Sequence, residues 1–219
     1  MLQALGRLAH HDMLSADATN LWWVIGYLLR VRYSVHDLGL WAAITAPAKI
    51  LGIQRVIEIG YPDPRTIGIG LTSAAIGWGL WTVSGAARRT PRPAPRTLHP
   101  DLWLFAGLAG FLVHAYATLS AQVHENHLFA AVPLLVLASA GRRAFRPICV
   151  GVSAVVALNL NLFYGLGDGM GYMLPRGMTI VDMTVILAIV NCFVFSWHAA
   201  VLKSQCSTAA PRRPQPAPA

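Results

Sequence analysis

The chain has 219 residues, of which 55% are hydrophobic and 12% charged, with a mean hydropathy of +0.52; a soluble domain carries about twice that charged fraction. The formal charge is +8, yet 15 of the 17 basic residues are arginines seated at the ends of apolar runs. In a membrane protein that pattern is topology information, so neither a soluble fold nor a nucleic-acid partner is implied.

Residues 66–87, 102–113 and 147–164 contain no Asp, Glu, Lys or Arg. A helix needs about 20 apolar residues to cross a bilayer, so the expected fold class is all-α, a polytopic transmembrane helical bundle over residues 1–202. Cys149, Cys192 and Cys206 have no paired spacing, which suggests neither a disulfide framework nor a thiolate metal site.

Residues 1–12 are mixed and lack the apolar core of a cleavable signal peptide. Met13–Leu29 is helical in character, but its uncharged part, Ala18–Leu29, is too short to span. It is expected to be a re-entrant or partial helix, because Asp17 and Asn20 would otherwise lie deep in lipid. Residues 30–65 form a mixed connection broken by Pro47, Pro62 and Pro64. Within it, Leu38–Ile59 suits an interfacial segment.

About five spans are expected, near residues 66–87, 102–123, 128–141, 147–164 and 179–202. Between them lie a stiff basic connector (Arg88–Arg96), the polar stretch 124–127, a basic loop (Arg142–Arg146) and a Gly-rich loop (165–178). Residues 203–219 form a Pro/Ala/Arg tail with nothing to bury, expected to be disordered. Placing the three basic clusters on the cytoplasmic side requires no adjustment to the alternation of spans. Residues 30–65, 124–127 and 165–178 then lie outside and the C-terminus is cytoplasmic. A bacterial-type inner membrane is the expected location.

The polar residues that are out of place all fall on that outer side. They are Asp17 and Asn20 with Trp22 and Trp23, then His124-Glu125-Asn126-His127, then Asp168, Tyr172 and Arg176. The 14 residues of 128–141 make about 21 Å of helix against a core of about 30 Å, so the His124 turn is expected to sit recessed below the outer boundary. Bland readings compete. A polar turn can hydrogen-bond its own helix ends, and paired tryptophans are common belt residues. His124 and His127 are spaced i, i+3 rather than the i, i+4 of the helical zinc motif, so a divalent metal is not expected. Asn159, Asn161 and Asn191 read as interhelical hydrogen bonds, His114 and His198 as satisfied packing residues, and Asp182 as a helix cap or a partner of Arg176.

Val123-His124-Glu125-Asn126-His127-Leu128 ahead of Pro133, together with Ser15-Ala16-Asp17-Ala18-Thr19-Asn20-Leu21-Trp22-Trp23, resembles motifs of the GT-C superfamily of integral membrane glycosyltransferases. The resemblance covers most of this chain but only the C-terminal part of such an enzyme. It implies hexosyl transfer, mannosyltransferase-like, from a polyprenyl-phosphate sugar to an acceptor at the outer face, with no cofactor. It also implies a catalytic carboxylate on a first outer loop, which an N-terminal half or partner subunit would supply; membrane lipid is the other expected partner.

Under that resemblance His124 and Glu125 are the catalytic candidates. His124 donates a hydrogen bond to the donor phosphate or transfers a proton, and Glu125 orients an imidazole or binds acceptor hydroxyls. Asp17, Asn20, Trp22, Trp23, His127, Tyr172 and Arg176 are the substrate-binding candidates: the tryptophans offer flat faces to sugar or polyprenyl, and Arg176 clamps phosphate. Two positions depart from the family pattern, with Asp17 in place of Asn and Asn126 where a basic residue is frequent. The alternative readings are a non-catalytic scaffold or remnant, and a transporter or lipid-handling protein.

Overall fold

The computed structural model describes residues 12–89, 101–124, 126–164 and 179–208. Its α-helices are α1 (Leu21–Leu38), α2 (Leu40–Thr45), α3 (Ile53–Glu58), α4 (Pro64–Arg89), α5 (Asp101–Leu119), α6 (Ala131–Gly141), α7 (Arg146–Tyr164) and α8 (Met183–Thr208). A 3₁₀ turn (His127–Ala130) leads into α6. Among the described residues, four helical stretches are long and apolar enough to cross a membrane: Pro64–Ala86, Leu102–Leu119, Arg143–Tyr164 and Met183–Ser207.

The expected fifth span is shorter than proposed. The stretch 128–141 divides into a 3₁₀ turn and an 11-residue α6, about 16 Å of α-helix at 1.5 Å per residue. The ends of the spans also move, each for a local reason. Helix α4 starts two residues early because Asp63 caps it, accepting from Arg65 N (3.0 Å) and Thr66 Oγ1 (3.2 Å), with Pro64 at the first helical position. Helix α5 stops at Leu119 rather than 123, since Gln122 takes a left-handed φ of +63° and turns the chain into an extended run. Helix α8 begins after Asp182, whose carboxylate accepts from Thr184 N at 2.9 Å. It then continues to Thr208, so residues 203–208 are helix rather than tail.

Burial is arranged as lipid requires. Leu80, Trp81, Phe105, Val150 and Phe193 face outward, while His114, Thr118, Asn159, Asn191 and His198 are buried among the helices. A bundle designed for water would reverse that distribution; these apolar helices are consistent with an integral membrane protein. The main core joins α4 through α8 around Phe111, Leu135, Phe145 and Ile148. Close approach depends on missing side chains: a Cβ at Gly107 would lie 2.5 Å from the Phe145 ring.

One end of the bundle gathers Arg88, Arg142, Arg143, Arg146 and Lys203, and Arg142 Nη1 donates to Gln205 Oε1 there at 3.2 Å. The other end is covered by residues 12–65. There the chain enters as an extended segment, Leu14–Asn20, and leaves as α1. Leu14 N donates to Leu51 O (2.7 Å) and Gln54 N to Asp12 Oδ1 (2.8 Å), so the way in and the covering layer are at the same end.

The extended segment has no helix to satisfy its backbone, so the bundle does so. Ala16 N donates to Val123 O at 3.0 Å, and Gln122 N to Leu14 O at 3.1 Å. Asn159 of α7 accepts from Thr19 N (3.0 Å) and donates to Asp17 O (3.2 Å). Asn191 of α8 donates to Thr19 O (2.9 Å) and to Thr118 Oγ1 (3.4 Å). These asparagines therefore hold an extended backbone segment rather than bonding helix to helix alone.

Because its amide nitrogen is committed, Asn191 Oδ1 accepts from His114 Nε2 at 3.1 Å. In neutral rings His114 Nδ1 is then the acceptor for His198 Nδ1–H, 3.3 Å away. The two histidines read from sequence as packing residues are thus one buried chain ending at Thr19. Substituting Asn191→Ala removes partners from Thr19, Thr118 and His114 together. Thermal unfolding in detergent should show a loss of about 2–4 kcal/mol, whereas Val190→Ala on the exposed face should stay within about 0.5 kcal/mol.

Candidate functional site

The two sequence elements that carried the family resemblance meet at the covered end. Ala16 and His124 form a parallel β-bridge, and Val123 beneath them is fully buried.

Within the turn, His127 N donates to His124 O (3.2 Å) and His124 N donates to His127 Nδ1 (3.0 Å). The second bond decides the state of His127. Its Nδ1 is already an acceptor, so the neutral ring carries its proton on Nε2, and a further proton on Nδ1 would break the turn. Its ring stands edge-on to Tyr116, with centroids 5.5 Å apart.

Asp17 sits at a left-handed φ of +52°, a conformation its short polar side chain tolerates. Asn20 is 1% exposed and caps α1, its Oδ1 accepting from Trp23 N at 3.1 Å. The tryptophans are corrected from ligand platforms to structural anchors, being only 3% and 4% exposed. Trp22 Nε1 donates to Leu119 O (2.7 Å) and its ring packs with Leu14, Leu29, Ile53 and Val56. Trp23 Nε1 donates to Thr184 Oγ1 (2.8 Å), and its ring meets Phe163 edge-on at 5.3 Å. Neither ring offers a free face. Glu125, Tyr172 and Arg176 lie outside the described residues.

Asp182 does more than cap α8. Its second oxygen accepts from Ala48 N at 2.9 Å, and Thr184 Oγ1 donates to its first at 2.6 Å while accepting from Trp23. One carboxylate thus ties the covering layer, α1 and α8 together.

Beside the turn lies an open groove of about 410 Å³, lined by Arg65, Ile69, Tyr116, Ser120, Ala121, Gln122, His124 and His127. Arg65 is the functional candidate that the sequence reading missed. Its backbone is fixed by the Asp63 cap, and its Nε–H is buried with no hydrogen-bond partner. The available signal was positional: a cation two residues into a span, at the end opposite the basic clusters. A guanidinium with an unused donor, two imidazoles, a phenol and an amide in one groove suit an anionic oxygen-rich ligand. His124 also lines a much smaller cleft of about 10 Å³ with Asn20, Asn159 and Asn191, so it stands between the buried network and the groove. Among the described residues no three His, Cys, Asp or Glu side chains are grouped to hold a metal ion.

Comparison with family models, with curated proteins and with solved structures finds no match to this chain.

The wall of the groove depends on α4 lying against the 119–122 turn. A Cβ at Gly68 would stand 2.7 Å from Ala121 N and 3.3 Å from Leu119 O, both backbone, whereas one at Gly70 would meet nothing within 4 Å. Gly68→Ala should force α4 outward and cost about 1–3 kcal/mol, with Gly70→Ala neutral or slightly stabilising. Thermal unfolding of the two variants compares them directly.

Proposed function

We propose that this chain serves a membrane glycosyl transfer in which a sugar leaves a polyprenyl phosphate for an acceptor hydroxyl, and that it supplies the donor-phosphate end of the site. The observation that carries the reading is the groove where Arg65, Tyr116, His124 and His127 converge beside the paired backbones of Leu14–Ala16 and Gln122–His124. The two stretches that resemble GT-C motifs are over a hundred residues apart in sequence and meet at one isolated β-bridge, Ala16 to His124.

As the glycosidic bond breaks, the bonding electrons go to the phosphate oxygen and negative charge grows there. Arg65 stabilises that charge with a cation, and His124 and the Nε2–H of His127 act as hydrogen-bond donors. The acceptor hydroxyl attacks the anomeric carbon and gives its proton to a base contributed by a partner polypeptide. Asn20, Trp22 and Trp23 hold the covering layer in place and touch no reacting atom. The internal bonds of Asn20 Oδ1 and of the two indole N–H groups favour the second reading, a non-catalytic membrane scaffold.

Sugar transfer from polyprenyl-phosphate donors, assayed in membranes of cells whose own copy carries the change, separates the two. Arg65→Ala and His124→Ala should each lower the rate by about 10²-fold or more, the loss typical of removing one charge-stabilising donor, with the protein still inserted at normal levels. Unchanged transfer in both variants would leave the scaffold reading standing.

A further inference from the structure

A second cationic cavity lies in the covering layer, built from helices α1 and α3 and separate from the groove beside His124. It has a volume of about 210 Å³, with Arg30, Tyr33 and Ser34 of α1 and Arg55 of α3 on its polar side and Leu51 and Ile59 among its apolar lining.

The two guanidiniums are held differently. Arg30 Nη2 donates to Ala46 O at 2.7 Å, and its Cζ lies 5.1 Å from the Tyr27 ring centroid, so the head is fixed in place. Its Nε–H is nevertheless buried with no partner. A buried donor on a cation without an acceptor is costly unless something outside the chain supplies one. Arg55 is free to move: its side chain is 67% exposed, and it meets Glu58 at 3.4 Å, one turn along the same short helix. An exposed pair of that kind contributes little. Among the described residues Glu58 is the one carboxylate within ion-pair distance of either guanidinium. The cavity is therefore lined by two guanidiniums, with one carboxylate beside them.

The surroundings point to the source of an anionic partner. Leu38, Leu40, Trp41, Ile50 and Ile57 are exposed on the same layer, next to Arg32 and Lys49. An apolar surface studded with cations at the end of a membrane bundle is the pattern of a segment lying in the headgroup zone. A cavity of this size accommodates a phosphate and its glycerol, and leaves acyl chains to run over the exposed apolar side chains.

We infer that the Arg30–Arg55 cavity is a binding site for the phosphodiester headgroup of an anionic phospholipid, which holds the covering layer against the membrane. A singly charged phosphodiester supplies an anionic partner for the two guanidiniums, and the hydroxyls of Ser34 and Tyr33 provide further donors. This site is independent of any transfer reaction at the His124 groove.

The test uses the full chain in detergent, with phosphatidylglycerol, phosphatidylcholine and glycerol 3-phosphate as probes, read by native mass spectrometry and by thermal unfolding. Phosphatidylglycerol should remain bound and raise the unfolding midpoint, with phosphatidylcholine binding more weakly. Arg55→Gln, at an exposed position, should fold normally and bind phosphatidylglycerol about tenfold more weakly, the loss of one charge-assisted bond. Arg30→Lys, which keeps the charge but not the fork, should weaken it by a similar factor. Lys203→Gln at the far end of the bundle should change nothing. Equal binding of phosphatidylcholine, equal stabilisation by glycerol 3-phosphate, or the same loss in Lys203→Gln as in Arg55→Gln would each overturn the assignment.

Discussion

The backbone of Leu14–Asn20 has to be satisfied inside a helical bundle, and the rest of the structure answers to that constraint. An extended segment has no internal ladder, and lipid offers none of the water that would replace it. Its polar backbone groups therefore draw partners from several other elements. Leu14 pairs with Leu51 and Gln122, Ala16 with Val123, Asp17 and Thr19 with Asn159, and Thr19 again with Asn191. The Ala18 carbonyl accepts from both Ser15 Oγ and Asn20 N at 2.9 Å. Two mid-helix asparagines and the early end of α5 follow from this requirement.

From that anchored segment α1 departs with its first turn already determined. Asn20 caps it, Trp22 locks it to the end of α5, and Trp23 locks it to Thr184 and so to Asp182. Two small cores form on opposite faces of α1, one with α3 and one with the start of α8. The covering layer is thereby a rigid roof over the His124 turn. The groove beside the turn owes its shape to the same contacts: α4 can lie against Ala121 only because Gly68 has no side chain. The proposed phosphate site is thus a by-product of how the extended segment is held, and its cation, Arg65, arrives from the capped first turn of α4.

Much of this was legible beforehand. The long spans 66–87 and 147–164 were readable to within two residues because charge-free apolar runs and flanking arginines mark them without tertiary help. The ends at Leu119 and Asp182 were not, because a left-handed Gln122 and a cap satisfied by Ala48 and Trp23 depend on distant chain. In the candidate site the meeting of residues 14–20 with His124 was legible as a shared end of the bundle, while the role of each side chain was not. Trp22 and Trp23 read as interfacial or ligand-facing because an indole suits either; only the carbonyl of Leu119 and the hydroxyl of Thr184 make them anchors. Arg65 was passed over because it ends a run of mixed charges, and its place at the start of a span was the one mark that set it apart from Arg55.

The sequence by itself determined the class of the molecule and where its long apolar helices lie along the chain. Those depend on transfer free energies and charge placement, which act locally and add along the chain. The tertiary structure alone decided which polar groups are consumed in holding the backbone and which remain for a ligand. That division turns on who meets whom across 172 residues, as between Thr19 and Asn191, or 84, as between His114 and His198, and hydrogen-bond partnership at such range leaves no periodic trace in a single sequence.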